Sequence, residues 1–353
     1  MSRDFTKMDT AVAKGLAVLL LLFYHLFHEE QLLLEMQVDY RPLSKEIFLM
    51  AAGFGNICVA VFVMLTAYGI TKSILGVPEM SFKTAYVQAW GRFRKLLTGF
   101  GILYVSVVLV WSSVFDLQSL YGKGKQGAIL LISDALGFAQ MLGTPTLNQT
   151  WWYMSLAYAF IFLIPALAFC VRKTGSALLA ATFFLPMVVE LNYDMNRYLF
   201  VAAMGVCAAY GNWFEKIFSL RLHAVWKWCI GLAGFVLCIL ARQNAVVRDY
   251  FLNYADGPIA FFLICFAVML PGSVPGIKQV LGFVGKHSMN IYLVHTFFYL
   301  IIYRDFVYGF RYAGLIFTVL VVLSLGYATA LDGLKYLGGR LVPRIEAVLR
   351  KDR

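Results

Sequence analysis

The sequence predicts an all-α integral membrane protein of about ten transmembrane helices, with a re-entrant or interfacial segment near 127–143 and both termini cytoplasmic. Three observations carry that prediction. Of 353 residues, 61% are hydrophobic and only 14% charged, with a mean hydropathy of +0.75, which is not the composition of soluble domains. The apolar residues come in repeated stretches of about 17 to 23, long enough to cross a hydrocarbon core. Basic residues gather on alternate loops, as they do in multi-pass chains. No long segment is left for a soluble catalytic domain, no repeat or Pro-rich linker divides the chain, and one membrane domain over 1–353 is the simplest division.

Taken in order, eleven apolar stretches can be drawn: 11–28, 48–70, 96–115, 127–143, 151–170, 176–189, 198–213, 225–241, 257–271, 288–303 and 312–331. The first is followed by Glu29-Glu30-Gln31 rather than a small-residue cleavage site, so it reads as a retained span and not a signal peptide. Eleven crossings would put the two ends on opposite sides, yet both ends are basic: Arg3, Lys7 and Lys14 at the front, and Lys335, Arg340, Arg344, Arg350, Lys351 and Arg353 at the back. The positive-inside rule asks for an even number. The stretch 127–143 is the one to drop, being short, carrying Asp134 and flanked by Gly122, Gly124, Gly127 and Gly143. Ten spans then place 21 of the 30 basic residues inside, and the net charge of +11 resolves into +14 inside and −3 outside. The charge is therefore mainly a topology signal and argues against a nucleic-acid partner. The six cysteines lie inside apolar stretches with no CxxC pair and read as small buried hydrophobes. Gly122 to Gly127 matches GxGxxG without a βα unit and reads as loop; no metal-site, Walker or GxSxG pattern occurs.

Ionisable groups inside spans cost about 2.5–3.5 kcal/mol at the bilayer centre, so each is a functional candidate. Lys14 and His25 stand eleven residues apart in the first span, nearly on one face and about 16 Å apart along the axis. A cation near the cytoplasmic edge and an imidazole near mid-membrane would share one line. In the segment 288–303, Ser288, Tyr292 and His295 fall at i, i+4 and i+7 and make one polar stripe. That helix also enters from the cytoplasm, which would bring His295 to the depth of His25. A structural role, joining helices by hydrogen bonds, is about even with a catalytic one. Arg92-Phe93-Arg94-Lys95 opens the third span. Such clusters usually set topology, but three cations there suit a phosphate-bearing ligand at the inner face.

These residues resemble the membrane-bound acyltransferase 3 family. Lys14-Gly15-Leu16-Ala17 through Phe23-Tyr24-His25-Leu26-Phe27 is similar to its first helix, a basic residue, ten residues, then histidine. Phe62 to Tyr68 resembles its FFxLSGY helix, with Thr66 and Ala67 in place of Ser and Gly. Arg92 to Lys95 stands at its RxxR stretch, Gly285 to His295 resembles GKxSxxIYLxH, and Thr150-Trp151-Trp152-Tyr153-Met154 resembles the tryptophan opening of the fifth span. Met154-Ser155-Leu156-Ala157 lacks the glutamate that many members carry there. The resemblance implies about ten spans and transfer of an acyl group, usually acetyl, from cytoplasmic acetyl-CoA to a hydroxyl of an extracytoplasmic polysaccharide or lipid-linked glycan. It further implies the bacterial cytoplasmic membrane, contact with membrane lipids, no metal, and any esterase-like acyltransferase partner as a separate extracytoplasmic protein.

Acyl transfer from a thioester to an alcohol needs a base for the hydroxyl proton and donors for the oxyanion. His25 is the expected base or transient acyl acceptor, with His295 and Tyr292 as support or oxyanion donors. Lys14, Arg92, Arg94 and Lys95 would hold the CoA phosphates, and Trp152 and Ser288 the acceptor. Two other function classes compete. A transporter or flippase would show paired broken helices and internal repeats, and neither is found. A non-catalytic substrate-recognition domain would fail to transfer from labelled acetyl-CoA.

Overall fold

A computed structural model describes residues 4–270 and 274–351. Arg3, Asp352 and Arg353 of the charge count lie outside the described residues, as do the side chains of Arg340, Arg344, Glu346, Arg350 and Lys351. The described elements are helices, and one isolated bridge pairs Asp39 with Tyr312.

The first helix, α1 (Lys7–Phe27), begins four residues before the apolar stretch because Thr6 and Asp9 form a reciprocal cap. Thr6 Oγ1 accepts from the Asp9 amide at 3.1 Å, and the Asp9 carboxylate accepts from the Thr6 amide at 3.0 Å. Lys14 therefore sits two turns into the helix, and His25 lies two residues from its C-terminal end. The short α2 (Glu30–Glu35) follows. Next, α3 (Lys45–Phe54) continues through the tight turn Gly55–Ile57 into α4 (Cys58–Leu75), making one apolar rod of 31 residues.

Then come α5 (Phe82–Val110), α6 (Leu117–Tyr121), α7 (Gly124–Ala135) and α8 (Ala139–Leu142). The stretch 127–143 thus falls on two short helices, the longer spanning only about 18 Å at 1.5 Å per residue. Asp134 explains the break. One carboxylate oxygen accepts from the Tyr121 hydroxyl at 2.6 Å and from the Leu147 amide at 2.7 Å, which pins the loop back onto α7. Tyr104 extends the chain to Tyr121 at 2.9 Å. A buried carboxylate is tolerated where it is hydrogen-bonded in this way.

The second half holds α9 (Trp152–Thr174), α10 (Ala177–Val188), α11 (Tyr193–Gly211), α12 (Trp213–Phe218), α13 (Ala224–Gln243) and α14 (Leu252–Met269). It ends with α15 (Pro275–Lys286), α16 (Ser288–Thr296), α17 (Arg304–Tyr308) and α18 (Ala313–Lys351). Among the described residues, seven helices are long and apolar enough to cross a membrane: α1, the α3–α4 rod, α5, α9, α13, the helix over Val247–Met269 and α18. Of the other predicted spans, Ala177–Val188 and Ser288–Ile301 are apolar but shorter, and α11 is outside the seven. Burial separates inner from outer helices, since 61% of the most apolar part of the α3–α4 rod is buried against 11% for α13. The core is built by α1, α4, α9, α11 and α14, and α13 shows Trp226, Trp228, Leu232, Leu237 and Leu240 outward, as a lipid-facing helix does.

One contact sets the site. A Cβ on Gly285 would stand 1.7 Å from the Ala11 carbonyl oxygen, and one on Gly15 would stand 2.1 Å from that of Leu281. Only glycine lets α15 and α1 touch backbone to backbone. Lys278 on α15 reaches Asp9 at 3.7 Å. Because α16 follows α15 directly at His287, this crossing fixes where α16 runs beside α1.

Candidate active site

Near its C-terminal end, α1 presents His25 to α16. The ring centroids of His25 and His295 are 4.8 Å apart, tilted by 49°. His295 is fully buried. Its Nδ1 lies 2.6 Å from the carbonyl oxygen of Tyr292. A carbonyl only accepts, so Nδ1 carries the proton and the neutral ring keeps its lone pair on Nε2. That Nε2 is buried and has no hydrogen-bond partner. An unsatisfied buried acceptor costs about 1–3 kcal/mol unless a ligand group fills it.

Tyr299, which the sequence reading missed, completes the cluster. Its hydroxyl lies 3.3 Å from His25 Nδ1, and its ring stacks on His295 at 5.8 Å and 13°. It follows the end of α16, in a wide π turn over Phe297–Ile301, and such turns recur at functional sites. His28 is exposed, and its ring stacks on Tyr24 at 4.3 Å.

Tyr292 and Ser288 are buried on α16 but do not face His25 with their hydroxyls in the way the stripe suggested. The Tyr292 hydroxyl donates to the Thr150 carbonyl at 3.0 Å, and it is the backbone carbonyl of Tyr292 that meets His295. The segment 148–151 docks on α16 by further bonds: Trp151 Nε1 donates to the Leu293 carbonyl at 2.8 Å, and Asn148 Nδ2 to Thr296 Oγ1 at 2.5 Å.

On the other side of α16 lies a cavity of about 880 Å³ lined by Arg92, Arg94, Lys95, Lys286 and Lys335, with Asp332 as its one acid. Met289, Asn290, Leu293 and Phe100 close its inner end. Arg92 Nη1 is buried without a hydrogen-bond partner. At the rim, Asp332 accepts from Asn290 Nδ2 at 2.6 Å and pairs with His287 Nδ1 at 2.6 Å, while Lys335 donates to Asn290 Oδ1 at 3.2 Å. The structure brings Arg92, Arg94 and Lys95 together and adds Lys286 and Lys335, which had counted only as topology charges. Lys14 is not in the lining, and neither histidine is; α16 stands between the cavity and the pair.

Trp152 belongs elsewhere. It lines a second cavity of about 680 Å³, formed with Asn56, Gln140, Gln149, Asp194 and Arg197. Trp152 also stacks on Tyr198 at 6.3 Å and 19°. Among the described residues no group of three or more His, Cys, Asp or Glu side chains is placed to hold a metal ion.

No curated protein and no solved structure matches the chain. A family model described as an acyltransferase domain matches residues 10–331, which takes in every motif block quoted above, from Lys14 to His295. With that match over nearly the whole chain, and His25 beside the buried His295 where the first helix meets the GKxSxxIYLxH block, this multi-pass membrane protein belongs to the acyltransferase 3 family.

Proposed function

We propose that the protein moves an acetyl group from cytoplasmic acetyl-CoA to a hydroxyl of an extracytoplasmic polysaccharide or lipid-linked glycan, in a bacterial cytoplasmic membrane that it crosses ten times with both termini inside. The observation that carries this reading is the His25–His295 pair, with ring centroids 4.8 Å apart, His295 fully buried and its Nε2 left without a partner. Transfer to an alcohol requires a neutral imidazole near the reacting hydroxyl, and a dry, tautomer-fixed histidine supplies that form.

Five cations around the first cavity support the donor side. A CoA carries three phosphoryl groups, and guanidinium forks with ammonium groups are the usual partners of such anions. Arg92, with an unsatisfied nitrogen beside the cavity, has capacity for one more acceptor.

In the reaction, the acceptor hydroxyl gives its proton to the histidine pair as its oxygen bonds the acyl carbon. The carbon–sulfur bond breaks, and the thiolate recovers the proton from the imidazolium. His25 is the base in this scheme, held by the Tyr299 hydroxyl, and His295 Nε2 is the second acceptor beside it. Tyr292 serves through its carbonyl, which fixes the His295 tautomer. The test uses purified protein in lipid nanodiscs with radiolabelled acetyl-CoA and an isolated surface glycan. His25→Ala should abolish transfer while thermal unfolding stays at the wild-type temperature; wild-type transfer by that variant would refute the mechanism.

A further inference from the structure

We infer that the second cavity is a binding site for an anionic sugar, one whose carboxylate or phosphate pairs with Arg197 while its ring lies against Trp152. The inference rests on the acyl-transfer reading only in calling this ligand the acceptor.

The floor of the cavity carries it. Asp256 is fully buried and is shared by two guanidiniums, with Arg242 at 3.2 Å and Arg197 at 3.5 Å. Arg242 turns inward and donates to the Phe54 carbonyl at 3.3 Å. Arg197 is the member of the trio that lines the cavity. It is 8% exposed, and its Nε is buried with no partner. Arg242 and Arg197 share the one Asp256 carboxylate, with Asp194 as the second acid nearby, so the charges balance and what Arg197 offers the cavity is a guanidinium whose paired anion lies behind it, at 3.5 Å. A guanidinium with unused donors selects a planar carboxylate or a phosphate over a hydroxyl.

The rest of the lining fits the sugar and not just its charge. Asp194 stands one turn before Arg197 on α11 and lines the same cavity. Among the described residues it has no ion pair within 4.0 Å, so its oxygens remain for hydroxyl donors. Asn56 and Gln149 add amide groups, and Trp152 offers an apolar wall for a pyranose face. An acidic sugar presents an anion and neighbouring hydroxyls on one ring, and Arg197 with Asp194 is a matched pair of readers for that combination.

The test measures binding by calorimetry on the full chain in nanodiscs, with methyl glucoside, methyl glucuronide, glucose 6-phosphate and inorganic phosphate as probes. The expected result is that glucuronide or sugar phosphate binds about tenfold or more tightly than the neutral glucoside. Whichever acid binds more tightly assigns the anion. Arg197→Gln leaves Arg242 and Asp256 as a neutral pair and should fold, and in it the acidic and neutral sugars should bind alike; Arg197→Lys should recover part of the preference. Equal binding of neutral and acidic sugars to the wild type, no binding of either, a preference that survives Arg197→Gln, or inorganic phosphate binding as tightly as the sugar phosphate would each overturn the inference. Loss of transfer in His25→Ala alongside any of these would leave the acyl-transfer reading standing and remove only the anionic acceptor.

Discussion

Replacing Gly285 with alanine tests whether the α1–α15 contact sets the catalytic geometry. The added Cβ would lie 1.7 Å from the Ala11 carbonyl oxygen, 2.6 Å from its carbon and 2.9 Å from the Gly15 nitrogen, all backbone atoms that no rotamer change moves. Ordinary contact begins at about 3.4 Å, so the helices must part by about 1.7 Å. Overpacking of this kind costs about 3 kcal/mol, the upper end of its usual range. The displaced segment leads straight into α16 and His295, and misplacing a catalytic group by about 1 Å costs about a hundredfold in rate. Thermal unfolding and labelled acetyl transfer in nanodiscs should therefore both fall. Gly276→Ala, on the same helix with nothing within 4 Å of its Cβ, is the control and should leave both unchanged or raise stability slightly. A Gly285→Ala protein that keeps wild-type stability and turnover would refute the claim that this crossing positions the histidines.

Three further outcomes are expected. Tyr299→Phe removes the hydrogen bond to His25 Nδ1, worth about 1 kcal/mol, so kcat should drop about fivefold with KM for the donor unchanged in steady-state kinetics. Asp134→Ala strands the Leu147 amide and the Tyr121 hydroxyl, and should lower stability by about 2 kcal/mol and open the segment 136–147 to limited proteolysis. On α12, burial alone would raise the Glu215 carboxyl, but hydrogen bonds from Lys72 and Tyr68 outweigh it and hold it below its ordinary 4.5. Its contribution is thus present above that value and lost as pH falls through the lowered one, so the unfolding temperature should drop more steeply below pH 4.5 in wild type than in Glu215→Gln.

The elements with strong local signals were legible in the sequence. His25 and His295 belong to blocks with a fixed spacing, and the structure brings their rings together from opposite ends of the chain. The break in 127–143 was legible too, because a carboxylate and flanking glycines contradict a span. What was not legible depends on tertiary approach. Tyr299 lies in a π turn, and the regular 3.6-residue period used to draw the stripe on α16 does not extend through it. Arg197, Arg242 and Asp256 come from three helices with no common spacing. Stretches drawn to start at 198, end at 241 and start at 257 left all three one residue outside the bilayer, whereas the helices run from Tyr193, on through Gln243 and from Leu252. The signal that would have found them is the cost of an ionisable residue at a span's end: Asp256 and Arg242, each beside an apolar run, call for partners. Lys14 shows the converse, since a matching motif position did not place it in the lining of the cationic cavity.

The position of α16 gives the proposed reaction its order. One face of this helix, Met289, Asn290 and Leu293, closes the cationic cavity, and another, with His295, faces α1. Under the proposed function, a donor held by Arg92, Arg94 and Lys95 would meet α16 at Leu293, whose side chain lines the cavity and whose carbonyl is held by Trp151. The same segment, 148–151, contributes Gln149 to the second cavity and, through Thr150, holds the Tyr292 hydroxyl. The cationic cavity and the Trp152 cavity thus meet at the contact between α16 and the segment 148–151, where the motif blocks holding Trp151 and His295 pack on each other. Leu293→Trp adds bulk between the cavity and the pair while keeping both histidines and every cation, so it should lower kcat far more than it weakens donor binding; unimpaired turnover in that variant would mean that the acyl group reaches His25 by another route.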